Sequence, residues 1–137
     1  MIPSLAPAED RGQGAYPRFA RFLPDLDLRQ GRYRLRFARS AADLDRVLSL
    51  RFEVFNRELG EGLAESWLTQ RDVEDLDAVC HHLMVEDAAS GELAGTYRLQ
   101  TSEMAAAALG FYAAREFDLD ELPAFVRAKS VELGRAC

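Results

Sequence analysis

The chain has 137 residues, of which 48% are hydrophobic, and a formal net charge of −6. This length is enough for one domain with a hydrophobic core. No apolar run approaches the ~20 residues that a membrane-spanning helix needs, and the N-terminus lacks the basic start and apolar stretch of a secretory signal. Cys80 and Cys137 have a spacing that fits neither a metal site nor a disulfide framework, so we expect a cytoplasmic protein.

Charge is unevenly distributed along the chain. Residues 1–39 contain eight arginines and four acidic residues, whereas residues 40–137 contain nine basic and nineteen acidic residues. A basic segment on an acidic domain favours an anionic partner, either phospholipid headgroups at the inner membrane or an acidic carrier protein. The alternative is a solvated leader with no partner. Nucleic acid is disfavoured because the rest of the chain is acidic and no nucleic-acid-binding motif accompanies the arginines.

The first predicted elements are a leader, a strand and a helix. Residues 1–31 mix Pro, Gly and Arg without periodicity, which predicts a basic, disordered leader to a domain over residues 32–137. The alternating Y-R-L-R-F-A at residues 33–38 predicts a strand. Ser40 fits an N-cap and Gly60 a C-cap, so a helix is predicted between them, ending near Leu59.

The rest of the chain predicts a long loop, a hairpin and a closing strand. Residues 61–80 form an acidic segment without clear periodicity. Residues 82–87 and 93–100 are two strand patterns joined by A-A-S-G, a hairpin signal. Residues 101–129 read as helical or irregular, and V-E-L-G-R-A-C begins a closing strand near Ser130. This order predicts an α+β domain with a mostly antiparallel sheet flanked by helices.

Arg51 is out of place on its predicted helix. It shares an apolar stripe with Leu44, Leu48 and Phe55, yet Arg is almost never buried without a partner. It therefore either lies along the edge of the core with its charge in water or meets a carboxylate inside a cleft. The candidate partners lie in R-D-V-E-D-L-D, which is otherwise a solvated acidic loop: Asp72, Glu74, Asp75 and Asp77.

The strands carry three further charged candidates. Arg98 follows the hairpin on a strand face that would ordinarily be exposed. Glu132 and Arg135 have opposite parity on the closing strand, so a regular strand cannot aim both at one cleft, but Gly134 between them would allow a bulge. The adjacent histidines, His81 and His82, begin a strand without an evident nucleophile, which favours a structural role.

Five motifs, in order, carry a family resemblance: L-R-F-E-V-F, R-D-V-E-D-L-D-A-V-C-H-H-L, G-T-Y-R-L, G-F-Y-A-A-R-E-F-D-L and V-E-L-G-R-A-C. From about Tyr33 to Cys137 the chain resembles the acyl-carrier-protein-dependent L-ornithine Nα-acyltransferases of ornithine-lipid synthesis. These enzymes are relatives of the acyl-homoserine-lactone synthases in the GNAT superfamily. The resemblance implies the N-terminal half of a GNAT-like fold. No R/Q-x-x-G-x-G/A donor-binding pattern occurs before Cys137, so we expect this chain to be about half of a larger, truncated acyltransferase.

The resemblance assigns site residues position by position. Arg51 and Phe55 match the family's helix motif, and Glu74 and Asp77 match its acidic pair, although the relatives usually have Asp at the first of these positions. Trp67 matches a tryptophan of the synthases' mobile loop only loosely. The remaining substrate-binding positions implied by the motifs are Arg98, Phe117 and Arg135.

Glu132 matches the glutamate of the family's closing strand, and we expect it to act as the catalytic base. The resemblance implies transfer of a 3-hydroxyacyl group from acyl carrier protein to the α-amine of L-ornithine, with no cofactor and no metal. Two alternatives stay open. The enzyme could acylate S-adenosylmethionine, as acyl-homoserine-lactone synthases do, or the chain could be a non-catalytic GNAT-like module that binds a carrier protein or a membrane.

Overall fold

The computed structural model describes residues 16–137 and shows a single five-stranded sheet with helices against it. The strands follow one another in chain order, and each is antiparallel to the next. They are β1 (Asp27–Gln30), β2 (Tyr33–Phe37), β3 (His81–Asp87), β4 (Leu93–Thr101) and β5 (Val131–Gly134). The predicted α+β class with a mostly antiparallel sheet is confirmed.

The predicted hairpin is formed by β3 and β4. Its turn is held by Asp87, whose Oδ1 accepts hydrogen bonds from two backbone N–H groups of the turn. Gly91 adopts a φ of +75°, a conformation that costs glycine little. The register shifts between Val85 and Glu86, so the hairpin contains an irregularity that the alternating pattern did not indicate.

Helix α1 (Ala41–Phe52) begins where the sequence predicts it and packs on one face of the sheet. The Oγ of Ser40 accepts a hydrogen bond from the backbone N–H of Asp43 at 3.1 Å, which satisfies one of the unpaired amides of the first turn. Val47 of this helix packs with Ala38 and Met84 of the sheet in a buried cluster. The same face of α1 buries Arg51.

The predicted continuation of this helix to Leu59 differs from the structure. Residues Glu53–Glu58 adopt π-helical geometry instead of α-helical geometry. A π turn contains more residues than an α turn, so the side chains beyond Phe52 rotate away from the predicted apolar stripe. Leu59 is consequently exposed, while the polar Asn56 is buried.

Residues 16–31 have defined structure, which corrects the prediction of a disordered leader over residues 1–31. A 3₁₀ turn at Ala20–Phe22 is followed by β1, which pairs with β2. All four residues of β1 are exposed, so no alternation marked it as a strand. Residues 1–15 of the predicted leader lie outside the described residues. The ring of Phe19 anchors the segment in a second buried cluster with Leu76, Val79, Cys80 and Met104.

Short helices and 3₁₀ turns fill the connections. The predicted long acidic loop contains α2 (Ser66–Thr69) and a 3₁₀ turn at Asp75–Ala78, and the segment between β4 and β5 contains the others. These are α3 (Ser102–Ala107), α4 (Ala124–Ala128) and 3₁₀ turns at Tyr112–Arg115 and Leu119–Glu121. No helix within residues 16–137 has the length and hydropathy required to cross a membrane.

Candidate active site

Arg51 is completely buried and hydrogen-bonded to two carboxylates. Its Nε donates to Asp72 Oδ2 at 2.7 Å, and its Nη1 and Nη2 donate to the two oxygens of Asp77 at 2.7 and 3.1 Å. Burial alone would lower the pKa of Arg51, but the hydrogen bonds and charges of Asp77 and Asp72 outweigh burial and raise it. Of the two sequence-based alternatives, the buried ion pair is therefore the one that the structure contains.

Arg98 and Arg135 extend this pairing into a network of three guanidinium groups and three carboxylates. Arg98 Nη1 donates to Glu74 Oε2 at 2.6 Å and to Asp77 Oδ1 at 3.0 Å. Arg135 Nη2 donates to Asp72 Oδ1 at 2.6 Å. The Nε of Arg135 lies 3.4 Å from Glu74 Oε2 without forming a hydrogen bond. The network joins α1, the acidic loop, β4 and the end of β5.

One end of the network is closed to solvent and the other end is open. The side chains of Arg51 and Asp77 are 0% and 3% exposed, whereas those of Glu74 and Arg135 are 21% and 23% exposed. Arg51 and Asp77 direct their polar atoms at buried partners, whereas Glu74 and Arg135 form the open end of the network. The substrate-binding role expected for Arg51 and Asp77 stays a prediction.

A bulge at the end of β5 turns Arg135 toward this network. Arg98 on β4 pairs with Gly134 on β5. Thr96, two residues before Arg98, exchanges backbone hydrogen bonds with Cys137, which lies three residues after Gly134. The segment that follows β5 therefore contains one residue more than the matching part of β4. The extra residue and the φ of +46° at Arg135 turn its side chain to the opposite face from the one that a regular strand would give it. This is the bulge that the sequence allows at Gly134.

The ring of Phe55 packs against the guanidinium of Arg135. The guanidinium carbon of Arg135 lies 4.8 Å from the centroid of the Phe55 ring, within the range of a cation–π contact. Phe55 is not among the residues that line the neighbouring cavity, and its contact with the site is through Arg135. Its predicted contact with substrate stays a prediction.

A cavity of about 320 Å³ lies between β4, β5 and the segment around residues 112–117. Five of the eight predicted site residues line it, and Phe117, one of the five, is largely exposed. The five are Glu74, Arg98, Phe117, Glu132 and Arg135. Its dimensions fit a small-molecule ligand, and its lining combines apolar surface with acidic and basic groups.

The carboxylate of Glu132 anchors the segment that forms one wall of the cavity. Its Oε1 accepts hydrogen bonds from the backbone N–H of Tyr112 at 2.8 Å and from Gln100 Nε2 at 2.9 Å. Its Oε2 accepts one from the backbone N–H of Ala113 at 2.8 Å. A carboxylate oxygen has two lone pairs, so Oε2 retains one that no described donor occupies. Glu132 therefore holds the wall in place and keeps one acceptor position free of any described donor.

Sequence reasoning missed Gln100, which is buried and lines the cavity. The signal was available, since Gln100 lies two residues after Arg98 and hence on the same face of β4. Gln100 is uncharged, however, and a neutral polar side chain on a strand is not an anomaly in the way that a charge on an apolar face is. Cys80 also lines the cavity, and burial raises its pKa to about 12, so it is present as the thiol and not as a nucleophilic thiolate.

The two histidines do not line this cavity, which agrees with the predicted structural role. Burial lowers the pKa of His82 to about 4. Its Nε2 lies 2.9 Å from the backbone oxygen of Asp77, and because a carbonyl only accepts, Nε2 carries the proton. Within residues 16–137, the His, Cys, Asp and Glu side chains form no group of three that could hold a metal ion.

A second, mainly apolar cavity of about 220 Å³ adjoins the first. Ala113 and Glu132 line both cavities, so the wall between them is the segment that Glu132 anchors. The apolar lining of the second cavity consists of Phe111, Leu119, Leu122 and Val131. A charged cavity and an apolar cavity therefore meet at one carboxylate.

Comparison with known proteins relates this chain to acyltransferases. Residues 50–137 match the acetyltransferase (GNAT) domain family. The L-ornithine N(alpha)-acyltransferase of Rhizobium meliloti is 38% identical over 132 residues, which cover 90% of this chain and 45% of the relative. The enzyme of the same name from Brucella abortus is 38% identical over 117 residues, covering 80% of this chain and 41% of the relative.

A third relative, the L-ornithine N(alpha)-acyltransferase of Agrobacterium fabrum, is 40% identical over 116 residues, covering 80% of this chain and 40% of the relative. The chain thus spans less than half the length of the curated relatives it matches. No solved structure matches the chain at a significant level. All five motifs quoted from the sequence begin at or after residue 50, inside the region that matches the GNAT domain family.

Proposed function

Because the chain belongs to the acetyltransferase (GNAT) domain family, we propose that the protein is an N-acyltransferase acting on L-ornithine. It transfers a 3-hydroxyacyl group from acyl carrier protein to the α-amine, the first step of ornithine-lipid synthesis. The observation that carries the proposal is the cavity where Glu132 lies beside Glu74 and Arg135, in a chain whose relatives are named L-ornithine N(alpha)-acyltransferase.

The reaction requires a proton acceptor beside the attacking amine. The α-amine of ornithine arrives as an ammonium group, so its nitrogen loses two protons: one to become the nucleophile, and one after it bonds to the thioester carbonyl carbon and the carbon–sulfur bond breaks. Glu132 Oε2, which accepts a single hydrogen bond from a described donor, is the acceptor we assign to the first proton, directly or through one water, and this proton passes to solvent. The second proton goes to the departing thiolate, so one proton is released in each turnover.

The open end of the ion-pair network suits an amino-acid acceptor. Ornithine carries two ammonium groups and one carboxylate, so its site needs both acidic and basic groups. Glu74 offers a partly exposed carboxylate and Arg135 a partly exposed guanidinium, and both line the cavity. Their buried partners fix these two side chains before the substrate arrives, which reduces the entropy cost of binding.

The adjoining apolar cavity supports an acyl group as the second substrate. Its lining offers no charge besides Glu132 and Arg127, so it suits a hydrocarbon chain better than a second amino acid. We place the acyl chain there, with its thioester carbon at the wall shared with the charged cavity. This arrangement brings the two reacting atoms together near Glu132.

The N-terminal arginines support an acidic carrier protein as the donor and peripheral contact with the inner membrane from the cytoplasm. Arg18, Arg21 and Arg29 form no ion pair with another described residue, so their charges are available to an anionic partner. The later arginines are already paired with acidic residues: Arg32, Arg34, Arg36 and Arg39.

Expression of the complete product of the gene that encodes this chain tests the proposal. In a bacterial host without ornithine lipid, we expect mass spectra of the lipid extract to show N-(3-hydroxyacyl)ornithine. The Glu132→Gln variant should greatly reduce the amount of product, whereas Glu121→Gln, which changes an exposed carboxylate outside both cavities, should not. A soluble protein without the product contradicts the proposal. A response from an acyl-homoserine-lactone reporter would then indicate S-adenosylmethionine as the acceptor.

A further inference from the structure

Gln100 has one end engaged by the site and the other end without a partner. Its Nε2 donates to the backbone oxygen of Gly110 at 3.0 Å and to Glu132 Oε1 at 2.9 Å. Both partners are acceptors, so the nitrogen must face them and the orientation of the amide is fixed. Oε1 is then buried without a hydrogen-bond partner among residues 16–137. Gln100 lines the charged cavity, but Oε1 is itself closed to solvent, so a donor in the cavity reaches it only after a neighbouring side chain moves.

An orphaned acceptor in this place points to a donor that enters the cavity. Buried amide oxygens are nearly always hydrogen-bonded, and leaving one unpaired is unfavourable. The cavity is lined by three carboxylates and two guanidinium groups, so acidic groups exceed basic ones by one and a cationic group is favoured beside Glu132. An ammonium group carries three N–H donors and no acceptor, which matches a site of carboxylates and one free amide oxygen.

We infer that Gln100 binds the amine of the acceptor through Oε1 and positions Glu132 through Nε2. This inference rests on the proposed function and adds a residue to its acceptor site. The amide is rigid and planar, so the group that holds the amine also fixes the carboxylate that receives its proton. Gln100 would thereby set the distance between the nucleophile and Glu132.

Two substitutions in the complete gene product distinguish the role of Gln100 Oε1 from the role of its Nε2. Gln100→Met keeps the length of the side chain and removes both the donor and the acceptor. We expect it to raise the KM for L-ornithine on the order of tenfold and to lower kcat. Gln100→Glu keeps an acceptor oxygen but places a second carboxylate beside Glu132. It should leave the KM no higher than in the wild type, lower kcat and move the acidic limb of the pH–rate profile to higher pH, because adjacent like charges raise a carboxyl pKa.

Thr96→Val is the matched control. Thr96 is buried on the same face of β4, its Oγ1 donates to the backbone oxygen of Leu83 at 2.8 Å, and it does not line the cavity. This variant should lower the melting temperature without changing the KM. If the two variants lower the melting temperature by the same amount and also change KM and kcat by the same amount, Gln100 is structural and the inference is wrong.

Calorimetric titration with L-ornithine provides a readout independent of turnover. We expect Gln100→Met to weaken ornithine binding on the order of tenfold. Equal affinity of the wild type and Gln100→Met overturns the inference and indicates that a buried water satisfies Oε1. A wild type that binds ornithine without acylating it overturns the proposed function but leaves the ornithine contact of Gln100 in place.

Discussion

The guanidinium of Arg51 and the carboxylate of Asp77 form two hydrogen bonds, 2.7 and 3.1 Å long, at a depth where neither side chain has appreciable solvent exposure. Asp77 also accepts from Arg98 at 3.0 Å, so one carboxylate fixes two arginines on different elements. Removing one member of such a network leaves an uncompensated charge that water cannot reach. The rigidity of the cavity's charged wall therefore depends on residues that do not contact the cavity's contents.

Arg51→Ala should lower the free energy of unfolding by about 3–5 kcal/mol, because the largely buried network would keep its three carboxylates with only two guanidinium groups, those of Arg98 and Arg135. Urea denaturation of the complete gene product measures this loss. The control is Arg34→Ala, which breaks an exposed ion pair with Asp27 and should cost far less, because water screens both charges. Similar, small losses in both variants would contradict the importance of burial.

The sequence was sufficient for elements with a local signal and for the charge anomaly on α1. The N-cap at Ser40 and the β3–β4 hairpin follow from residues a few positions apart. Arg51 was recognisable because an arginine on an apolar stripe needs a partner. Its partners in the structure, Asp72 and Asp77, are two of the four carboxylates that the sequence offered. The contact of Arg135 with Asp72 was not recognisable, since it joins residues 63 positions apart.

Other features had no pattern that elementary rules recognise. Strand β1 exposes all of its residues and is held by backbone pairing with β2, so its side chains carry no alternation. The π-helical turn at Glu53–Glu58 follows an α-helix without Pro or Gly to mark the change. Gln100 is neutral, and its importance appears only once Gly110 and Glu132 are seen at its nitrogen.

Stability should decrease as the pH falls from about 6.5 to about 4, because of His82. Burial lowers the pKa of His82 from 6.5 to about 4, so the unfolded chain binds a proton in this range while the folded chain does not. Stability therefore rises with pH here, and His82 accounts for about 3 kcal/mol between the two limits. Asp77, whose pKa is lowered by Arg51 despite burial, adds a further loss only below its usual value of 3.8.

Urea denaturation at several pH values measures the His82 contribution. His82→Gln keeps an N–H donor for the backbone oxygen of Asp77 and removes the titration, so its stability should vary less between pH 6.5 and pH 4. His81, whose pKa burial also lowers, remains in this variant and accounts for residual dependence. An identical pH dependence in the wild type and His82→Gln would contradict the assignment.

The proposed acyl site predicts that Leu119→Trp shortens the acyl chains found in the product. Leu119 lines the apolar cavity of about 220 Å³, and a larger side chain there would occupy space assigned to the acyl group. Mass spectrometry of the lipid products measures the chain lengths. Phe125→Trp, at an exposed position outside this cavity, should leave the distribution unchanged. A distribution unaffected by Leu119→Trp would place the acyl chain elsewhere.

Glu132→Gln should reduce turnover of L-ornithine by about 10²–10⁴-fold at neutral pH, because the amide cannot accept the proton of the attacking amine. The loss should become smaller at higher pH, where more of the substrate amine is already neutral. The new –NH₂ group must face the backbone N–H of either Tyr112 or Ala113, so a modest fall in melting temperature is also expected. Rates measured from pH 7 to pH 10 on the folded variant separate the two effects. Turnover near the wild-type rate at neutral pH would show that Glu132 serves only to anchor the backbone at Tyr112 and Ala113.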